Sequence, residues 1–112
     1  MQHVDASPLP IVCVPSALTR EERTRSRELR RELAAATVET RAKPNGYSYR
    51  YRDDPEIFRK AAEWITLERR CCPFLTFELR WSQGASTPWL ELTGPEGTRE
   101  FLGAEMPELP QE

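Results

Sequence analysis

The spacing of apolar positions changes several times along this chain, and each change marks an element. "PIVCVP", residues 10–15, is a short β-branched run between prolines and predicts a buried strand. Thr19 followed three residues later by Glu22 forms a capping box, which starts a helix that should run to about Ala35. Its apolar stripe is narrow, with Ser26, Leu29, Leu33 and Ala36 in line with Glu22, so this helix should lie on a surface. "TVETRAKPNGYSYRYR" reads as a hairpin: two extended runs flank Pro44-Asn45-Gly46, and Asn-Gly supplies the positive φ angles that tight hairpin turns need. Tyr47, Tyr49 and Tyr51 alternate with Ser48, Arg50 and Arg52, the pattern of a half-buried strand with one aromatic face.

Asp54 is placed to cap a second helix, with Pro55 at its first position. Ile57, Phe58, Ala61, Ala62, Trp64 and Ile65 give that helix a broad apolar face, and Arg69 and Arg70 in its last turn suit the helix dipole. Pro73 prevents continuation and pushes Cys72 out of helical geometry. Leu75, Phe77, Leu79 and Trp81 then alternate with Thr76, Glu78 and Arg80 in a one-sided strand; "SQGAST" is a turn and "PWLELT" a further strand. A Thr93–Glu96 capping arrangement opens a short last helix that carries Phe101 and Leu102 inward. The order strand, helix, hairpin, helix, hairpin, helix predicts an α+β fold: a ferredoxin-like, antiparallel-dominated sheet of five strands with three helices on one face. Residues 1–10 read as a loose lead-in, 11–105 as a single domain and 106–112 as a tail.

With 112 residues, the chain has material for one core. A net charge of −2 gives no electrostatic support for nucleic-acid binding. Arg20, Arg23, Arg25, Arg27, Arg30 and Arg31 do crowd the first helix, but Glu21, Glu22, Glu28 and Glu32 are interleaved with them, as on a solvated, ion-paired face. "MQHVDASPLP" lacks the pattern of a signal peptide, and no apolar run approaches the ~20 residues of a membrane span. These features predict a cytoplasmic protein with reduced thiols. An unprotected sheet edge would allow a homodimer.

The only histidine, His3, lies in the lead-in, which argues against His-dependent hydrolase mechanisms. Nucleotide-binding, metalloprotease and thioredoxin motifs are absent. The remaining chemistry is in three cysteines. Cys71 and Cys72 are neighbours, able to join only through a strained ring, and sit where a helix must end, close to the surface. Arg69 and Arg70 would lower a thiol pKa there, while the helix C-terminus opposes them. Glu68, three and four residues earlier, shares their side of the helix. In a ferredoxin-like sheet the first strand would bring Cys13 to the same place. Three thiols without a fourth partner do not make a closed zinc site, but suit soft ions such as Hg(II), Cu(I) or As(III). The leading reading is therefore a soft-ion site of Cys13, Cys71 and Cys72 with the Glu68 carboxylate behind it. The alternatives are a protein-interaction module whose cysteines are packing, and thiol redox chemistry with Cys71 attacking and Cys13 resolving. Tyr47, Tyr49, Tyr51, Trp64, Trp81 and Trp89 have the spacing of core aromatics.

"EWITLERRCCPFLTFELRW", the upstream "NGYSYRY" and the downstream Gly-Pro-x-Gly turn resemble a group of small, largely uncharacterised bacterial proteins with a CCPF motif. A cysteine at the position of Cys13 fits that pattern too. The resemblance spans roughly residues 11 to 104 and implies no particular activity, but it makes the cysteines stronger site candidates than composition does.

Overall fold

Capping and periodicity set the two long helices. In the computed structural model, which describes residues 10–84 and 87–111, α1 spans Arg20–Ala36 and α2 spans Pro55–Cys71. The Thr19 hydroxyl accepts from the Glu22 N–H while the Glu22 carboxylate accepts from the Thr19 N–H, so the capping box forms in full. Asp54 caps α2 by accepting from the Glu56 N–H at 2.9 Å. The buried stripe of α1 is Ser26, Leu29, Leu33 and Ala36; that of α2 is Ile57, Ala61, Trp64 and Glu68. Ala62, expected on the apolar face, is exposed.

Four strands follow: β1 (Thr37–Lys43), β2 (Gly46–Tyr51), β3 (Thr76–Arg80) and β4 (Trp89–Thr93), in the sheet order β1-β2-β4-β3. Every neighbouring pair is antiparallel. Register places Ala42, Tyr47, Leu92 and Phe77 in one row and Thr40, Tyr49, Leu90 and Leu79 in the next, which makes the apolar face. The opposite face carries Arg41, Ser48, Glu91 and Glu78 beside Glu39, Arg50, Trp89 and Arg80. Ion pairs lace it, among them Arg50–Glu39 at 2.9 Å, and the Arg41 guanidinium lies 4.7 Å from the Trp89 ring centre. Trp64 stands edge-on to Phe77 in the core, and Phe74 edge-on to Phe101 of the short helix α3 (Thr98–Glu105). Met106 and Leu109 beyond α3 are buried in the same core.

Three expectations are corrected. Residues 10–15 form no strand, so the sheet has four strands rather than five. Without that strand, the first strand–helix–strand unit of a ferredoxin-like sheet is not formed. Prolines at both ends leave only four residues between them. Val12 and Val14 face outward, 51% and 39% exposed, and among the described residues the run is tied to α2 by one backbone bond, Val14 N–H to the Cys71 carbonyl, 2.7 Å.

The hairpin turn is Pro44-Asn45, with Lys43 already paired to Gly46, and neither Asn45 nor Gly46 has positive φ. Gly46 is required for a different reason: a Cβ there would lie 1.8 Å from the Leu92 carbonyl oxygen. The positive φ falls instead at Gly97, +100°, which is the cap residue of α3. Thr93 lies in β4 and Glu96 precedes α3, so the expected Thr93–Glu96 cap is replaced by this glycine. The Thr98 hydroxyl donates to the Pro95 carbonyl at 2.7 Å.

Among the described residues, no helix is long and apolar enough to cross a membrane. The expected lead-in, residues 1–9, lies outside the described residues.

The two glycines supply a test. Gly46→Ala should cost about 3 kcal/mol, because backbone on the neighbouring strand must move. Gly84→Ala, with nothing within 4 Å of the added carbon, should stay within about 0.5 kcal/mol of the parent in urea melts.

Candidate metal centre

The segment before α1 reaches the site through hydrogen bonds made outside the sheet. Besides the Val14–Cys71 bond, the Arg70 guanidinium donates to the Ala17 carbonyl at 2.7 Å and to the Glu22 carboxylate at 3.0 Å. Arg23 donates to the carbonyls of Leu18, at 2.7 Å, and Pro15, at 3.3 Å. Leu18 is buried and Ile11 packs against the core. With Ile11 inward and Val12 and Val14 outward, Cys13 is also left half-buried and turned to the core.

The other two cysteines are placed by the end of α2. Cys71 is its last residue. Cys72 leaves helical geometry, at φ −121° and ψ 76°, while its N–H still bonds the Glu68 carbonyl at 2.7 Å. Pro73, which has no N–H and disfavours helical geometry in the residue before it, gives the reason for this departure.

The three Sγ atoms lie within 4.8 Å of one another, with Cys13 and Cys72 3.3 Å apart. The Cys72 thiol donates to the Glu68 carboxylate at 3.2 Å, and the Ser26 hydroxyl donates to the other Glu68 oxygen at 2.9 Å. A chain of contacts thus runs from buried Ser26 on α1 through Glu68 on α2 and Cys72 just beyond it to half-buried Cys13. Burial pushes the Cys72 thiol well up from its ordinary value, and the Glu68 charge adds to that. Burial also raises Cys13, partly offset by its contact with Cys72.

Every cysteine picked out in the sequence, and Glu68 with them, meets here. Cys13 arrives on an irregular segment rather than on a strand. The expectation that both vicinal cysteines lie near the surface is corrected: Cys71 is half-buried, but Cys72 has no exposed area. Arg70 turns to Glu22 and Ala17, and Arg69 is exposed.

An open cavity of about 220 Å³ borders Cys13, Cys71, Glu68 and Ser26, and its other walls include Arg23, Arg27 and Arg30 of α1. These arginines, and Ser26, were missed as site residues. The signal was available: positions 23, 27 and 30 have the i, i+4, i+7 spacing of one helix face. Elsewhere on α1 the ion-paired reading holds, with Arg25 bound to Glu63 at 2.8 Å. The aromatic reading holds for the tyrosines and Trp64, which are core, whereas Trp89 lies on the charged sheet face and Trp81 is 37% exposed.

No family model matches the chain, and neither a curated protein nor a solved structure resembles it at a significant level.

Stability at high pH reports the buried thiol. An unfolded cysteine ionises around its ordinary pKa of 9.0, whereas folded Cys72 keeps its proton to higher pH. The stabilisation is complete below that value and falls as pH rises, by about 1 kcal/mol per such thiol between pH 9 and 10. Urea melts of the parent should show this loss, and Cys72→Ala should show less of it. Buried Tyr49 and Tyr51 act in the same direction from about pH 10 in both proteins, so the difference reports Cys72 together with its contact to Cys13.

Proposed function

We propose that the protein binds a soft, thiophilic ion such as Hg(II), Cu(I) or As(III) through Cys13, Cys71 and Cys72. The carrying observation is the convergence of three sulfurs within 4.8 Å, from positions 58 and 59 residues apart in sequence and from two separate segments. Thiolates select soft ions, and a group of three sulfurs is short of the four ligands of a structural zinc site. Glu68 accepts from both Cys72 and Ser26, so it orients the Cys72 sulfur. The likeness to the CCPF bacterial proteins supports treating the vicinal pair as part of a site.

For Hg(II) or Cu(I) each metal–sulfur bond replaces an S–H bond and releases a proton; for As(III), which arrives as As(OH)3, each As–S bond replaces an As–O bond and the thiol proton leaves with the hydroxide as water. Neither ion nor sulfur changes oxidation state. Binding of Hg(II) or Cu(I) should therefore acidify a weakly buffered solution, and binding of As(III) should not. Cys13 and Cys71, both partly open, offer the ion its route in; Cys72 forms the floor.

One observation favours the second reading, a protein-interaction module whose cysteines are packing: Cys72 is fully buried among core residues. The readings separate on ion affinity. Native mass spectra of the reduced protein should show one Hg(II) or As(III) per chain, with a thiolate-to-metal absorption band. Cys13→Ser/Cys71→Ser should weaken this by more than the roughly 10–100-fold expected when a supporting partner is lost, as in Glu68→Gln. Undiminished binding in the double serine variant would eliminate the three-sulfur site.

A further inference from the structure

The cavity is much larger than an ion needs, and two of the guanidinium groups in its walls lack a carboxylate partner among the described residues. At about 220 Å³ and open to solvent, it far exceeds what an ion seated on the sulfurs would fill. Three arginines line it against two carboxylates, Glu68 and Glu105. Glu68 is engaged by Ser26 and Cys72, and Arg30 is paired with Glu108 at 2.8 Å. Arg23 donates to carbonyl oxygens, which leave its charge unneutralised, and exposed Arg27 has no ion-pair or hydrogen-bond partner among the described residues. Glu68 keeps negative charge beside the Cys72 thiol, while Arg23 and Arg27 across the cavity have no carboxylate partner among the described residues and can each receive an anionic group. Leu18, Pro15 and Met106 add apolar wall to the same space.

Building on the soft-ion reading, we propose that the ion arrives as an adduct bearing one carboxylated organic group, its metal end on the thiols and its carboxylate facing Arg23 and Arg27. The organic body fills the cavity against Leu18 and Met106. Attachment of that group to the metal through carbon or through sulfur presents the same chemistry to the cavity. For a mercury adduct, the bond to its leaving ligand and one S–H bond break. A mercury–sulfur bond forms, the ligand leaves with the proton, and the organic group stays on mercury without any redox change.

The test compares 4-carboxyphenylmercury(II), phenylmercury(II) and the mercury(II) complex of mercaptoacetate. Each competes against 2-mercaptoethanol for the reduced full chain. The parent should hold the carboxylated arylmercury about three- to fivefold more tightly than the neutral one, the range of an exposed charge pair. Arg27→Gln should narrow that preference, with Arg23 still facing the carboxylate, and leave phenylmercury, which has no carboxylate for Arg27 to meet, at the parent's affinity. Equal affinity of the parent for both arylmercurials overturns the proposal. Equal weakening of both by Arg27→Gln also overturns it, because the arginine would then only balance thiolate charge. Failure of the soft-ion reading looks different: both arylmercurials would bind Cys13→Ser/Cys71→Ser as tightly as the parent. Mercaptoacetate retained on mercury in native mass spectra assigns the sulfur-linked class of adduct. Its loss, with the arylmercury preference intact, assigns the carbon-linked class.

Discussion

A carboxylate buried between two helices is the constraint on which this arrangement depends. Glu68 is 3% exposed and has no ion-pair partner among the described residues; its oxygens accept from Ser26 on α1 and from the Cys72 thiol. A buried charge without donors is costly, so α1 and α2 are held where Ser26 and Glu68 meet. That crossing fixes the last turn of α2, and with it Cys72. The apolar stripes of the two helices would tolerate sliding far better than this polar contact does. The thiol cluster thus inherits its geometry from a polar contact inside an otherwise apolar interface.

Cys13 shows how a site residue can be placed without regular structure. Val14 N–H, Arg23 and Arg70 tie down the run from Val14 to Leu18, and Leu18 and Ile11 anchor it by burial. A strand would have fixed Cys13 through a ladder shared by many residues. Here a few bonds from two arginines and one backbone amide do so, and the same segment forms one wall of the cavity. The position of Cys13 is therefore sensitive to the residues that grip its neighbours, while the sheet beneath is independent of them.

Local chemistry was legible in the sequence; what depended on distant partners was not. The capping box at Thr19, the Asp54-Pro55 start and the stop at Pro73 are each settled within a few residues, and all three are found. Alternation gave the tyrosine face for the same reason. "PIVCVP" has strand composition, but a strand also needs a neighbour with free hydrogen-bonding groups, and only Val14 finds one. Gly46 was read as a turn residue because Asn-Gly commonly is, whereas the Leu92 carbonyl that excludes a side chain there is on β4, far along the chain. The meeting of Cys13 with Cys72 was anticipated from a sheet topology that does not form. What holds it in the structure is the bond from Val14 to Cys71 and the grip of Arg23 and Arg70 on residues 15–18, just after Cys13.

Charge is where the site departs most from a simple metal trap. A pocket shaped only to attract cations would surround its sulfurs with carboxylates alone, yet this one sets guanidinium groups at 23, 27 and 30 beside the carboxylates of Glu68 and Glu105, on a helix whose other arginines include one paired with Glu63. A guanidinium against a thiol eases its ionisation and also attracts anionic ligands, both by the same Coulomb interaction; here burial and Glu68 hold the Cys13 and Cys72 thiols up, so only the second effect is expressed. They differ in reach. Stabilising a thiolate requires only proximity to sulfur, whereas holding a carboxylate requires space between sulfur and arginine for the rest of the ligand. The cavity supplies that space, with apolar side chains along it. Volume, more than charge, is what favours an adduct over a bare ion.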